Sequence, residues 1–579
     1  MAVEDVSGVE SGNWVQSTEF EGTTEDASGI ESGSRVQNSE SEEAAALPDW
    51  EPNYEEQNHG SESMKGELAF IGSMIEHKLR TEFEADARGV SSNVEESSGA
   101  VYARGGGSKP SVEKSIEAVY EAYGLGYAQG GARELAAQLR SGDEAFRTEL
   151  IAKLVKDDSE ASLRILRAAG GEPAPYGGDD RLSTSDSQII ARSLGAAYDR
   201  GKLGSDFAQR LVRAEAEYLN NTPGVLLDPP YNEYTGNLIA QSGSARLMRD
   251  YAVSAIEHAA KAQTSNDLQM LNGAARAMSG DPKVLSEILT KLDAGALGDG
   301  KIGLESFLDV VNASPFAVER NHERIVGNGN PLATVLEAAA RMPASELKVK
   351  LFETVVNNDR LMEGAGVSDA LVTLYRSDAR FLTERLIDTK VNLEGLVTLS
   401  KFFEDTLYSP KCTKQEELLG TLKELAKGFR DGNRPYELGL LAGSVANGFQ
   451  LAVKEERDRE AAVKGFVSFV FDLIPVGGKL KSVFENALGK DVGEFVGKII
   501  AEKGVEAAKE DVAQYLTDHL TEETGLFGIG IGAKVKNRND VDEILRGAFE
   551  INKFSQSQVE RYNNGMGTAY DALEGSGLL

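Results

Sequence analysis

Two features of the 579-residue chain predict an all-α fold, a multi-helical array of α-hairpins behind a disordered acidic N-terminal tail. From Ser111 to about Arg430 apolar residues recur with helical spacing almost throughout, the pattern of one buried helix face. Ser, Asp and Gly punctuate that pattern where helices must start and stop. Strand signals are scarce. Hydrophobic content of 41% with 27% charged residues is that of an ordinary soluble protein.

Four parts follow in order. Residues 1–62 form the tail, in which Glu4–Glu19 (EDVSGVESGNWVQSTE) recurs as Glu25–Glu40 (EDASGIESGSRVQNSE), offset by 21 residues. Residues 1–60 hold fifteen Asp and Glu against the single Arg35. Low hydrophobicity and high charge leave too little burial to offset chain entropy. Residues 63–109 carry one helix, from about Glu62 to Arg88, and a Gly/Ser linker ending in GGGSK. That ending lacks the Gly-Lys-Ser/Thr order of a phosphate loop, and Pro110 after it marks a helix start.

Residues 110–432 read as a helical body. A motif recurs there three times, at Gly142 (GDEAFRTELI), Gly280 (GDPKVLSEIL) and Ser377 (SDARFLTERL). Each copy places an Asp (Asp143, Asp281, Asp378) to cap a helix, with an apolar anchor three residues on (Phe146, Val284, Phe381). A Glu follows the Asp by six in each copy. The spacings of 138 and 97 residues are unequal, so the motif marks recurrent helix starts and not a fixed period. Two interruptions are expected, an irregular loop over Asn220–Ile239, which carries TPG, DPP and YTG, and a shorter one at Gly327–Pro331. Residues 433–579 form a C-terminal helical domain with a Gly-rich stretch at Gly525–Gly532.

Composition excludes several function classes. A net charge of −32 and a pI near 4.7 oppose broad phosphate contact, so no nucleic-acid partner is expected. Cys412 is the only cysteine, so no intrachain disulfide or Cys-based zinc site forms. His59, His77, His258, His322 and His519 lie far apart without metal-ligand spacing. Asp299–Phe307 resembles the second half of an EF-hand loop, but Gly295, Leu297 and Ser306 stand where three side-chain ligands are needed. A metal-free helix-loop-helix is expected there. No catalytic residue, cofactor or metal is assigned. The N-terminus has no apolar h-region, so no cleaved Sec leader is expected, and no run nears the ~18 apolar residues of a membrane span.

Two motifs carry family resemblances. VLLDPPY, ending at Tyr231, resembles motif IV of amino-methyltransferases acting on adenine, where Asp228 would hold the amino group and Tyr231 would stack on the base. That family also needs a Phe-x-Gly-x-Gly loop in a parallel sheet. Phe527–Gly530 has Ile529 out of pattern, and no βα alternation surrounds the motif, so a turn is the expectation.

The second motif is Phe471–Asp491, FDLIPVGGKLKSVFENALGKD. Pro475, Gly477 and Gly478 break an apolar run, and a stripe of Leu480, Val483, Phe484, Ala487 and Leu488 resumes at helical spacing. The segment resembles the pre-toxin segment of bacterial polymorphic toxins in Asp472, Ile474, Pro475, Val476, Gly489, Lys490 and Asp491. It covers about twenty residues and lacks the Thr-Gly that often follows.

The resemblance implies a non-enzymatic helical carrier or delivery module of a secreted bacterial toxin or effector. Its partners would be proteins: export machinery, a chaperone or an immunity protein. Such a chain is secreted without a cleaved leader, or cytoplasmic before export. The alternative is an intracellular helical scaffold or interaction protein. A membrane-active pore-former is disfavoured by Asp472, Lys479, Lys481 and Glu485, which interrupt the apolar helices. A packed joint predicts that Phe484 is buried.

Overall fold

Small polar side chains begin the helices, as the punctuation predicts. Asp143 accepts a hydrogen bond from the Phe146 amide at 2.9 Å, and Asp281 accepts from Lys283 and Val284 at 2.8 and 3.1 Å. Ser159, Ser183, Ser244 and Asn330 do the same for four further helices. Each cap satisfies an amide that the first helical turn leaves without a partner. The computed structural model describes residues 111–156, 159–172, 181–221, 233–262, 264–312, 329–390, 393–454, 459–474, 477–521 and 538–578. Among the described residues there are helices and no strand.

The helices come in pairs. α1 (Val112–Ser141) pairs with α2 (Glu144–Leu154), and α3 (Glu160–Ala169) is followed by α4 (Thr184–Asp199). α5 (Phe207–Asn221) is an insertion, after which α6 (Glu233–Ala240) and α7 (Ala245–Ala259) resume the series. α8 (Met270–Met278) and α9 (Pro282–Asp293) come next, then the short α10 (Leu304–Val311). α11 (Pro331–Ala340) precedes α12 (Glu346–Val356), and α13 (Val367–Ser377) precedes α14 (Ala379–Leu386). The last two pairs are α15 (Glu394–Leu407) with α16 (Gln415–Asp431) and α17 (Pro435–Lys454) with α18 (Arg459–Leu473).

Two layers result. First members stack in sequence, α1 on α3, then α6, α8, α11, α13, α15 and α17; second members stack as α2, α4, α7, α9, α12, α14, α16 and α18. Each pair buries its apolar face against its neighbours, the logic of a helical repeat stack. Contacts cross residue 432, since α15 packs on α17.

A C-terminal group closes the stack. α19 (Gly477–Leu488) and α20 (Lys490–Lys503) turn about Gly489 at φ +94°. α21 (Val505–Thr521) packs on α18 and α20, and α22 (Arg538–Ala548) on α19. α23 (Gln556–Gly575) then returns to lie along α17. That seam is tight. A Cβ added at Gly439 would sit 2.1 Å from the Tyr562 carbonyl oxygen, and one at Gly565 would sit 2.1 Å from that of Tyr436.

Charged side chains buried in the array have partners. Arg167 bonds Glu215 at 3.0 Å and Glu172 at 2.9 Å, and Tyr251 donates to Glu215 at 2.7 Å. Burial drives the Glu215 carboxyl upward against the pull of Arg167 and Tyr251. Arg276 pairs with Glu233 at 2.7 Å. Lys348, fully buried, donates to the carbonyls of Ala340 and Met342, to Ser377 Oγ and to Asp378.

Two expectations need correction. The loop over Asn220–Ile239 is too long: α5 runs to Asn221, and α6 begins at Glu233 with Tyr234, Leu238 and Ile239 buried. The Gly of the YTG signal is a packing residue, since a Cβ at Gly236 would meet the Gly273 carbonyl at 2.2 Å. Asp378, unlike Asp143 and Asp281, does not cap its helix with its side chain, because Lys348 takes the carboxylate instead. The acidic tail, the helix and linker before Ser111, the DPPY motif, Phe527–Gly530 and the Gly525–Gly532 stretch lie outside the described residues.

Candidate functional site

The third copy of the recurrent motif forms one wall of an open groove of about 900 Å³ between α14 and α16. α16 is amphipathic: Leu418, Leu419, Leu422, Leu425, Ala426 and Phe429 are buried toward the array. Glu416 and Glu417 in its first turn and Arg430 in its last suit the helix dipole. Its opposite side bears Gly420, Thr421, Glu424 and Gly428, all on the groove. Both glycines are exposed, and a Cβ added at either would meet nothing within 4 Å. Glycine in a helix interior costs roughly 1 kcal/mol relative to alanine. Among the described residues no packing calls for either one.

The wall facing α16 comes from the motif and the end of α13. Arg376 pairs with Glu417 across the groove mouth. Arg380 bonds Glu384 at 3.1 Å, and Arg434 bonds the same carboxylate from the start of α17. Burial pushes the Glu384 carboxyl up, but the hydrogen bonds from Arg434 and Arg380 outweigh it and hold it below the usual range. Asp378 reaches the groove while bound to Lys348. Half-buried Phe381 and buried Leu425 and Phe429 supply the apolar part.

A second cleft of about 350 Å³ lies along α16, lined by Gly420, Lys423, Phe471, Asp472, Val505 and others. Gly420 borders both clefts. The pre-toxin-like residues divide here. Asp472 bonds Lys509 at 2.7 Å through its carboxylate and accepts from Lys423 at 3.3 Å through its carbonyl. Ile474 is buried beside it. Gly489 makes the α19–α20 turn, Lys490 pairs with Glu494 at 3.5 Å, and Asp491 is exposed. The twelve residues of α19 separate the two halves by about 18 Å, so they do not converge. Pro475 and Val476 lie outside the described residues. Phe484 is fully buried 6.1 Å from Phe471, as a packed joint requires.

Other residues singled out in the sequence take structural positions. Cys412 is buried and hydrogen-bonded to Asp369, and burial pushes its thiol up to about 12. His258 meets Asp267 at 3.1 Å. Gly300, at φ +73°, makes the turn of the helix-loop-helix between α9 and α10, and Ile302 packs inward. Among the described residues no group of three or more His, Cys, Asp or Glu could hold a metal ion, and no helix is long and apolar enough to cross a membrane.

Sequence reasoning passed over the groove. Its signal was present in the Gly420, Glu424, Gly428 spacing on the polar side of a strongly amphipathic helix. No family model matches the chain, and neither a curated protein nor a solved structure matches it.

Proposed function

We propose that the chain is a non-enzymatic helical carrier that works by holding another polypeptide in the groove between α14 and α16. One observation carries this reading: Gly420 and Gly428 bare helix backbone to the groove at positions where no described residue would meet a side chain's Cβ. Close approach of a second backbone is what glycine permits and a side chain prevents. Stacked helix pairs with continuous side surfaces are suited to protein contact. Its place in delivery of a bacterial toxin rests on the pre-toxin-like segment, whose Asp472 borders the cleft that shares Gly420 with the groove.

The test is a photocrosslinking residue at Thr421 of the full chain, expressed in its own cells, with Glu149 as a control position. A discrete protein crosslinked from Thr421 and not from Glu149 is expected. Recovery of the chain from culture medium or recipient cells favours the carrier. Retention inside the cell, with the same crosslink, makes it a scaffold. Absence of a crosslink specific to Thr421 removes the groove reading.

A further inference from the structure

We propose that the polypeptide held in this groove is a cationic amphipathic helix of a partner protein, crossing α16 at Gly420 and Gly428 with a Lys or Arg against Glu424. The inference rests on the groove reading above and adds the chemistry of the occupant.

Gly420, Glu424 and Gly428 are spaced four apart, so they share one side of α16, and the two glycines stand about 12 Å apart along its axis. That length matches two turns of a helix laid against them. The charges beside them are nearly all answered from within. Glu417 is met by Arg376, Glu384 by Arg380 and Arg434, and Asp378 by Lys348. Glu424 is exposed and makes no ion pair or hydrogen bond among the described residues. Among the described residues the groove therefore presents one unanswered negative charge, between two windows of bare backbone, with half-buried Phe381 on the facing wall.

An occupant that answers all three features has an apolar stripe, a helical backbone able to approach closely and a cation at mid-length. A second copy of this chain fits poorly, because a net charge of −32 on each copy opposes their approach. Nucleic acid fails on the same ground.

The experiment uses the full chain and a fluorescent 20-residue helical peptide with a Leu stripe and Lys and Arg on its other faces. A counterpart carries Glu in place of every Lys and Arg. Binding is read by anisotropy at physiological salt. An acidic protein attracts any basic peptide, so the variants decide the matter. Glu424→Gln is expected to weaken binding about two- to fivefold, the range for one solvent-exposed charge pair. Gly420→Leu with Gly428→Leu is expected to weaken it more than ~tenfold by filling both windows. Glu149→Gln, exposed and remote in sequence, should leave binding unchanged. The melting temperature of the leucine variant should not fall, since leucine is the better helix former, and this separates a blocked groove from a damaged fold. Equal weakening by Glu149→Gln, or parent-like binding by the leucine variant, overturns the inference. So does an acidic peptide that binds as well as the basic one. If Thr421 crosslinks a protein that has no basic helical segment, the inference fails while the groove reading stands. Loss of the crosslink removes both.

Discussion

The seam between α17 and α23 and the groove between α14 and α16 use the same residue types to opposite ends. In the seam, Gly439 and Gly565 are required, because any side chain would strike backbone at 2.1 Å. In the groove, Gly420 and Gly428 are surrounded by open space. Ion pairs divide likewise. Arg167 and Glu215 are 1% and 0% exposed, whereas Arg376 and Glu417 are 39% and 47% exposed. Residue identity alone therefore does not say whether a glycine or an arginine holds the fold together or serves its surface. The surroundings decide.

The sharpest way to break this contrast is to remove one arginine from each region. Arg167→Met leaves Glu215 buried without its cation, and a stranded buried charge costs about 3–5 kcal/mol. Arg376→Met removes one member of an exposed pair, which is worth roughly 0–1 kcal/mol. Chemical denaturation of both variants beside the parent should show a large loss for the first and almost none for the second. Equal losses would mean that the groove wall is as integral as the core.

Phe484 extends the buried side of the comparison into the pre-toxin-like segment. Its ring is fully buried against Phe471, so Phe484→Ala should cost about 3–5 kcal/mol, the range for a core aromatic. A membrane-inserting segment behaves otherwise: truncation would spare stability and abolish liposome dye release by the parent. Melting and dye release measured together separate the two.

Glycine gives a smaller contrast, and one of opposite sign. Gly439→Ala must push α23 away from α17, and overpacking of this kind costs about 1–3 kcal/mol. Gly428→Ala meets nothing and gains helix propensity, so it should stabilise by up to ~1 kcal/mol. A melting temperature that falls for Gly428→Ala would show that the position is packed after all.

Much of the architecture was legible in the sequence because periodicity and caps are local. Asp143 and Asp281 cap as their position predicts, and the helix-loop-helix at Asp299 forms. What failed was long-range. Tyr234-Thr235-Gly236 reads as a turn, yet Gly236 is there for the backbone of α8, 37 residues on. Asp378 reads as a cap, but Lys348, 30 residues earlier, claims it. The groove escaped notice for the same reason. Glycine on a polar helix side looks like a weak helix until the structure reveals the open space in front of it.

The smallest expected effect concerns Glu550, which binds Arg430 of the groove helix and two lysines of the C-terminal group. Arg430, at the end of α16, meets it at 3.0 Å, Lys479 of α19 at 2.9 Å, and Lys553 at 2.7 Å. Hydrogen bonds from Lys479 and Lys553 lower its carboxyl from 4.5 to about 2. A carboxylate whose folded value lies below its unfolded one adds stability above the unfolded value. That stability is lost as pH falls from about 4.5 toward 2. Glu550→Gln should therefore melt slightly below the parent at pH 6, and the gap should narrow as pH falls below 4.5 toward 2. The measurement is melting temperature against pH for the two proteins. A parent and Glu550→Gln that stay parallel across this window would mean that the cluster is solvated like the groove wall.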